Sequence, residues 1–169
     1  MYIKQIELEN FKNFKEKKII ELHKGLNVIF GANGAGKSNI LDSINFIYDK
    51  KDSRIKNDID FINSSSNNPK LTVKIVLDNT EIEKTLEKDA SGAIKTSYYL
   101  NNKLSSKDKI LEILKEINIE LKDDCGISLN TEDVKNYALE LKKQSQNAQI
   151  IAVSERKPIL EAADKIIKL

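Results

Sequence analysis

Apolar and polar positions alternate through residues 2–9, with Ile3, Ile6 and Leu8 separated by one small slip, and Ile19 and Ile20 sit inside the run KKIIEL at 17–22. A period near two belongs to half-buried strands, so these segments predict two antiparallel strands joined by a Lys/Asn/Phe turn. The texture changes after Gly25. Residues 26–30 (LNVIF) form a short apolar run that enters a glycine-rich turn, and across residues 38–49 Ile40, Leu41, Ile44 and Ile47 recur at helical spacing. The order is strand, loop, helix.

Residues 50–70 mix charges with a Ser/Asn cluster ending at Pro69 and hold too few apolar side chains for a core of their own, so a long surface loop with one helical turn is expected. LTVKIVLD (71–78), EIEKTLEK (81–88) and KTSYYL (95–100) then read as strands of a small antiparallel lobe, punctuated by Asp78-Asn79, Ser91-Gly92 and Asn101-Asn102. Ser105 with Asp108 resembles a capping box ahead of a helix over about 106–116, whose buried face is Ile110, Leu111, Ile113, Leu114 and Ile117. Asn130 or Thr131 can cap a second helix running to about Ser145 on the stripe Val134, Tyr137, Ala138 and Leu141. IIAV (150–153) reads as a buried parallel strand, PILEAAD (158–164) as a short helix with Pro158 in its first turn, and KIIKL as a last strand. The fold class is α/β.

Length and composition narrow the function. A chain of 169 residues that is 40% hydrophobic and 32% charged suits one soluble domain with a core, at odds with wholesale disorder. Lys plus Arg number 28 against 26 Asp plus Glu, a net charge of +2, so a nucleic-acid-coating or polybasic membrane protein is disfavoured. Cys125 is alone and reads as a small buried side chain in a reducing compartment. Glu7 and Glu9 interrupt the N-terminus where a signal peptide needs an apolar run, and no stretch approaches a membrane span, which points to the cytoplasm and away from the membrane.

The chemistry lies in Gly31-Ala32-Asn33-Gly34-Ala35-Gly36-Lys37-Ser38, which matches the phosphate-binding loop G-x-x-x-x-G-K-[ST], the Walker A pattern, between an apolar strand and a helix. Glycines at 31, 34 and 36 let successive amides turn toward phosphate oxygens, and the following helix adds its positive end. Lys37 can reach the β and γ phosphates, and the Ser38 hydroxyl can ligate the Mg²⁺ that neutralises them.

GANGAGKSNILDSI, with Asn39 after the Lys-Ser pair, and the opening ELENFKNF resemble the SMC/Rad50/RecF branch of ABC-type ATPases. KTSYYLNNKLSSKDKILEILKEINI is similar to the hairpin and helix ending the N-terminal half of such a head, and QNAQIIAVSERKPILEAADKI to the end of its C-terminal half. The resemblance implies one P-loop NTPase head of ABC type over 1–169, with an N-terminal half carrying the antiparallel β lobe (1–119) and a C-terminal half (120–169). In the family a coiled-coil arm and an LSGG-type signature lie between the halves. Here the chain passes from Ile117 to Asp124 without heptads.

By the same resemblance, the first turn nominates Lys12 and Asn13 as nucleotide contacts, a reading that stays open against a plain solvated turn, and Asp123 and Asp124 fall where the metal-holding Asp and the catalytic Glu belong. Asp124 would be a shorter catalytic carboxylate, weakening hydrolysis. The reading of these two acids stays open between a metal-binding strand end and solvated turn carboxylates, because residues 117–122 alternate where a central parallel strand should be apolar on both faces. Loss of a covering helical layer would account for the alternation. Leu104-Ser105-Ser106-Lys107-Asp108-Lys109 lacks the signature's glycine pair and reads as a helix cap, and Glu155 stands where the family histidine that touches the γ-phosphate should precede Arg156. No glutamine occurs in 50–70 to match the family's metal-sensing Gln, and His23, the sole histidine, reads as a surface residue.

Three functions follow as expectations. The first is an ATP- and Mg²⁺-binding mini-head with weak or conditional hydrolysis in chromosome maintenance, chromosome segregation or DNA repair. The second is a non-catalytic module that pairs with a full-length head, and the third a competent ATPase using Asp123 and Asp124. A second head as partner, and DNA, are implied by resemblance alone, and ATP versus GTP stays open.

Overall fold

Two sheets of opposite character meet across one helix. The computed structural model describes residues 1–50 and 58–169. In chain order the elements are β1 (Gln5–Glu9), β2 (Lys18–Glu21), β3 (Leu26–Phe30), α1 (Lys37–Ile47), a 3-10 turn (Asp58–Phe61), β4 (Lys70–Val76), β5 (Glu81–Lys88), β6 (Ile94–Leu100), β7 (Lys103–Ser105), α2 (Lys107–Lys115), β8 (Ile119–Lys122), α3 (Thr131–Gln144), β9 (Gln149–Val153), α4 (Lys157–Ala162) and β10 (Lys165–Lys168). Six strands pair antiparallel in the order β2-β1-β4-β5-β6-β7, and four pair parallel in the order β10-β3-β9-β8. Of the expected loop at 50–70, residues 51–57 lie outside the described residues. The rest carries the anticipated helical turn.

Alternation decides which layer each side chain enters. Within β3 and β9, Leu26, Val28, Ile150 and Ala152 pack with Val134, Ala138 and Leu141 of α3 and Ile159 of α4. Their neighbours Ile29, Ile151 and Val153 point the other way, into the core shared by α1 and the antiparallel sheet. Burial on both faces explains why these strands read as unbroken apolar runs. Helix α1 sends Ile40, Leu41, Ile44, Phe46 and Ile47 into that shared core, and each such buried side chain stabilises by about 1.5–3 kcal/mol. Phe61 joins it by stacking on Phe11 at 5.5 Å, so the 3-10 turn is anchored to the main core.

Two buried polar side chains tie the layers together. Gln149 of β9 accepts from the Ile3 amide at 2.9 Å and donates to the carbonyls of Ile3 at 2.8 Å and His23 at 2.9 Å. Lys84 of β5, 5% exposed, donates to the Phe46 carbonyl at 2.7 Å and to Asp49 at 2.6 Å. Tyr98 of β6 donates to the second Asp49 oxygen at 2.7 Å. The C-terminal end of α1 is thereby fixed to the antiparallel sheet.

Three local expectations are corrected. Strand β8 pairs with β9 alone among the described residues, so the segment 117–122 supplies an edge strand and not a central one, with Ile119 and Leu121 against the main core and Glu120 and Lys122 part-exposed on the other face. The N-cap of α2 is Ser106, whose hydroxyl accepts from the Lys109 amide, and Ser105 instead pairs with Tyr98 in β7, a strand the composition did not signal. Tyr137 is half-buried beside the α3 stripe. Among the described residues no helix is long and apolar enough to cross a membrane.

Candidate phosphate-binding site

Strand β3 ends at Phe30, the chain turns through Gly31–Gly36, and α1 opens at Lys37. Gly36 occupies the N-cap position at φ 95°, with no side-chain cap, so the first amides of α1 are left for an external acceptor. A Cβ on Gly36 would meet the Asn13 side chain at 2.6 Å, and one on Gly31 would meet the main-chain oxygen of Leu169 at 2.7 Å. Gly31 is thus held to glycine by a main-chain approach, and Gly36 by its left-handed φ. Within the loop the Ala35 amide donates to the Ala32 carbonyl at 3.1 Å, which closes the turn.

Lys37 folds over this loop. Its ammonium donates to the carbonyls of Gly31 at 2.6 Å and Ala32 at 3.2 Å and to the Glu155 carboxylate at 2.9 Å. Ser38 donates its hydroxyl to Oδ1 of Asp123 at 3.0 Å, across 85 residues of sequence. That meeting follows from topology: β8 runs parallel to β9 beside β3, so its C-terminal end delivers Asp123 to the start of α1. The same Asp123 oxygen accepts from the Asp124 amide at 3.2 Å. Asp124, at φ 49°, lines a cavity of about 290 Å³ with Asn33, Gly34, Gly36, Lys37, Ser38 and Asn39.

The first turn meets the loop from outside. Asn13 accepts from the Asn39 side chain at 2.6 Å and donates to the Gly34 carbonyl at 3.3 Å, so it braces loop and helix. Lys12 is turned to Asp42, its ammonium 2.5 Å from the carboxylate, in an adjoining cavity of about 470 Å³ that also reaches Ser38 and Asn39. The Lys12 amide donates to Phe61 at 2.7 Å, and its carbonyl accepts from the Asn63 side chain. Asp42 and Asn63 were not singled out by sequence. The signal for Asp42 was a carboxylate inside the apolar stripe of α1, where it is 3% exposed.

The remaining candidates lie as the residues' ordinary chemistry dictates. Leu104 stands exposed on β7 and Ser106 caps α2, in keeping with the helix-cap reading of LSSKDK. His23 is exposed. Cys125 is buried, and burial pushes its thiol above the ordinary value, outweighing its contact with the Tyr137 hydroxyl at 3.7 Å.

The loop offers helix-terminal amides without a side-chain cap, an ammonium and a hydroxyl–carboxylate pair around one cavity, a donor set that fits a phosphate tail with a hard cation. Fold and loop together define a P-loop NTPase of ABC type. The family model described as the RecF/RecN/SMC N terminal domain matches residues 2–123, and the chain belongs to that family as an SMC/RecF-type ABC ATPase head-like domain. It is 26% identical to structural maintenance of chromosomes protein 4 of Saccharomyces cerevisiae over 95% of this chain and 13% of that protein. To the DNA replication and repair protein RecF of Clostridium tetani it is 35% identical over 68% of this chain and 31% of that one. The chain therefore spans less than a third of either relative's length. A solved SMC head bound to the C-winged helix domain of ScpA superposes with a TM-score of 0.86 over 99% of this chain and 94% of that one, at 19% identity, a likeness of fold.

Proposed function

We propose that this head-like domain binds ATP with Mg²⁺ in the cradle of Gly31–Ser38, with weak or conditional hydrolysis, and serves chromosome maintenance or DNA repair in the cytoplasm. The observation that carries the proposal is the convergence of Lys37, Ser38 and Asp123 at the open N-terminus of α1. Gly34, Gly36 and the first α1 amides would receive phosphate oxygens, with Asn33 at the rim and Asn39 and Asn13 holding the loop in shape. Lys37 would neutralise the outer phosphates, and Ser38 with Asp123 would hold the cation. Bound there, Mg²⁺ supplies charge neutralisation and orientation of the phosphate tail. Asp124 is the carboxylate available to orient a water, and its short reach limits that role. The chromosomal role is drawn from the family and from the relatives' names.

In this reading residues 1–169 act as one unit, because β3 of the N-terminal half lies between β9 and β10 of the C-terminal half. A second reading makes the domain a non-catalytic partner of a longer head. It is favoured by the segment 104–109, the chain's one likeness to the family signature, which lacks the glycine pair and instead builds β7 and the α2 cap. In either case a second head is the proposed protein partner, and DNA is proposed from family membership alone.

Equilibrium binding of a fluorescent ATP analogue with Mg²⁺ tests the proposal. Lys37→Ala should weaken binding at least tenfold, since charge-assisted contacts are worth about 1.5–3 kcal/mol. Equal affinity in both proteins would reject the site. In a turnover assay, parental activity exceeding that of Asp124→Asn favours hydrolysis here, and parity favours the non-catalytic reading.

A further inference from the structure

An ammonium has three protons, and Lys37 spends all of them: on the Gly31 carbonyl at 2.6 Å, the Ala32 carbonyl at 3.2 Å and the Glu155 carboxylate at 2.9 Å. A lysine that is to reach outer phosphates has no donor to spare until one acceptor leaves. The two carbonyls belong to the loop and cannot depart without dismantling it. Glu155 can. Its side chain is 60% exposed, against 12% for Lys37, so it lies on the solvent side of the pair.

The main chain around Glu155 is nonetheless pinned. The Ser154 amide donates to Ile29 at 3.2 Å and the Ser154 hydroxyl to the Cys125 carbonyl at 2.8 Å. On the other side the Arg156 amide donates to the Ser154 hydroxyl at 3.2 Å, and the Arg156 guanidinium to the Leu129 carbonyl at 3.0 Å. The carboxylate is thus presented to Lys37 by a fixed backbone. Only side-chain rotation withdraws it, and its main chain stays two residues from Val153, which lines the cavity.

We propose that Glu155 is a specificity-determining residue of the phosphate site, its carboxylate holding the place on Lys37 that an outer phosphate oxygen would take. It competes with the incoming nucleotide and repels a longer, more negative phosphate tail more than a shorter one, so it narrows any preference for a triphosphate over a diphosphate. The inference rests on the nucleotide-binding reading above. Because the pair is open to solvent, the effect is modest.

The test compares equilibrium binding of fluorescent ATP and ADP, each with Mg²⁺, to the parent, Glu155→Gln and Lys37→Ala. Glutamine keeps the size of the side chain and removes its charge, at an exposed position where folding is unaffected. Glu155→Gln should bind ATP about threefold to fivefold more tightly than the parent, with a smaller gain for ADP. Binding by Glu155→Gln where the parent shows none would support the proposal in its strongest form. If the parent binds, Lys37→Ala weakens binding, and Glu155→Gln either matches the parent or gains equally for both nucleotides, Glu155 sets no specificity and the nucleotide site stands. If neither the parent nor Glu155→Gln binds, or Lys37→Ala binds as the parent does, the nucleotide reading falls and the proposal with it.

Discussion

At the scale of single residues, the best-defined charged device outside the loop is Asp49. Burial alone would push its carboxyl up, but hydrogen bonds from Lys84 and Tyr98 and the Lys84 charge outweigh burial and hold it below the usual carboxylate range. Burial also draws the Lys84 ammonium below its ordinary value, with Asp49 pulling the other way, and the same burial and bond raise the Tyr98 hydroxyl. The sign for stability follows from Asp49. A carboxyl depressed in the folded state contributes stability above about pH 4, lost as pH falls through the folded value. Urea unfolding from pH 7 to pH 3 should show this loss in the parent and a flatter profile in Asp49→Asn, which should also be less stable at pH 7 by about 3 kcal/mol because Lys84 is left buried and poorly paired. Parallel pH profiles in the two proteins would contradict this role. The loop residues were legible because their pattern is local: eight consecutive positions state the cradle. Asp42 and its bond to Lys12 were not, since nothing in the spacing of the first turn says which acid thirty residues on will meet it.

At the scale of elements, periodicity located the half-buried β1 and β4 and the helix α1, and unbroken apolar runs located β3 and β9, because each pattern follows which faces are buried. It failed where an element's place in the sheet mattered more than its pattern. The half-polar β8 was weighed against the standard for a central strand, yet it lies at the edge, where alternation is ordinary. The start of α2 shows a different limit. Two adjacent serines offer the same capping chemistry, and only the pairing of Ser105 with Tyr98 hands the cap to Ser106. Ser106→Ala should therefore lower unfolding free energy by about 1 kcal/mol, with Ser105→Ala costing less, in matched urea titrations. The reverse order would place the cap one residue earlier.

At the scale of the whole molecule, the candidate site exists because two sheets are held in fixed relation. Gln149 joins β9 to the N-terminal segment at Ile3, Lys84 joins β5 to the end of α1, and α1 carries the loop between them. The parallel order β10-β3-β9-β8 then brings Asp123 from the far half of the chain to Ser38. No local pattern encodes that meeting. It was anticipated only through the family resemblance, which supplied the topology that spacing could not. A crystal structure of the protein grown with Mg²⁺ and a non-hydrolysable ATP analogue tests the central claim most directly. The account predicts phosphate density against the Gly34–Ser38 amides, Lys37 released from Glu155 onto the tail, and an ion between the Ser38 hydroxyl and Asp123. Crystals from saturating nucleotide with that cradle empty and the Lys37–Glu155 pair still closed would contradict it.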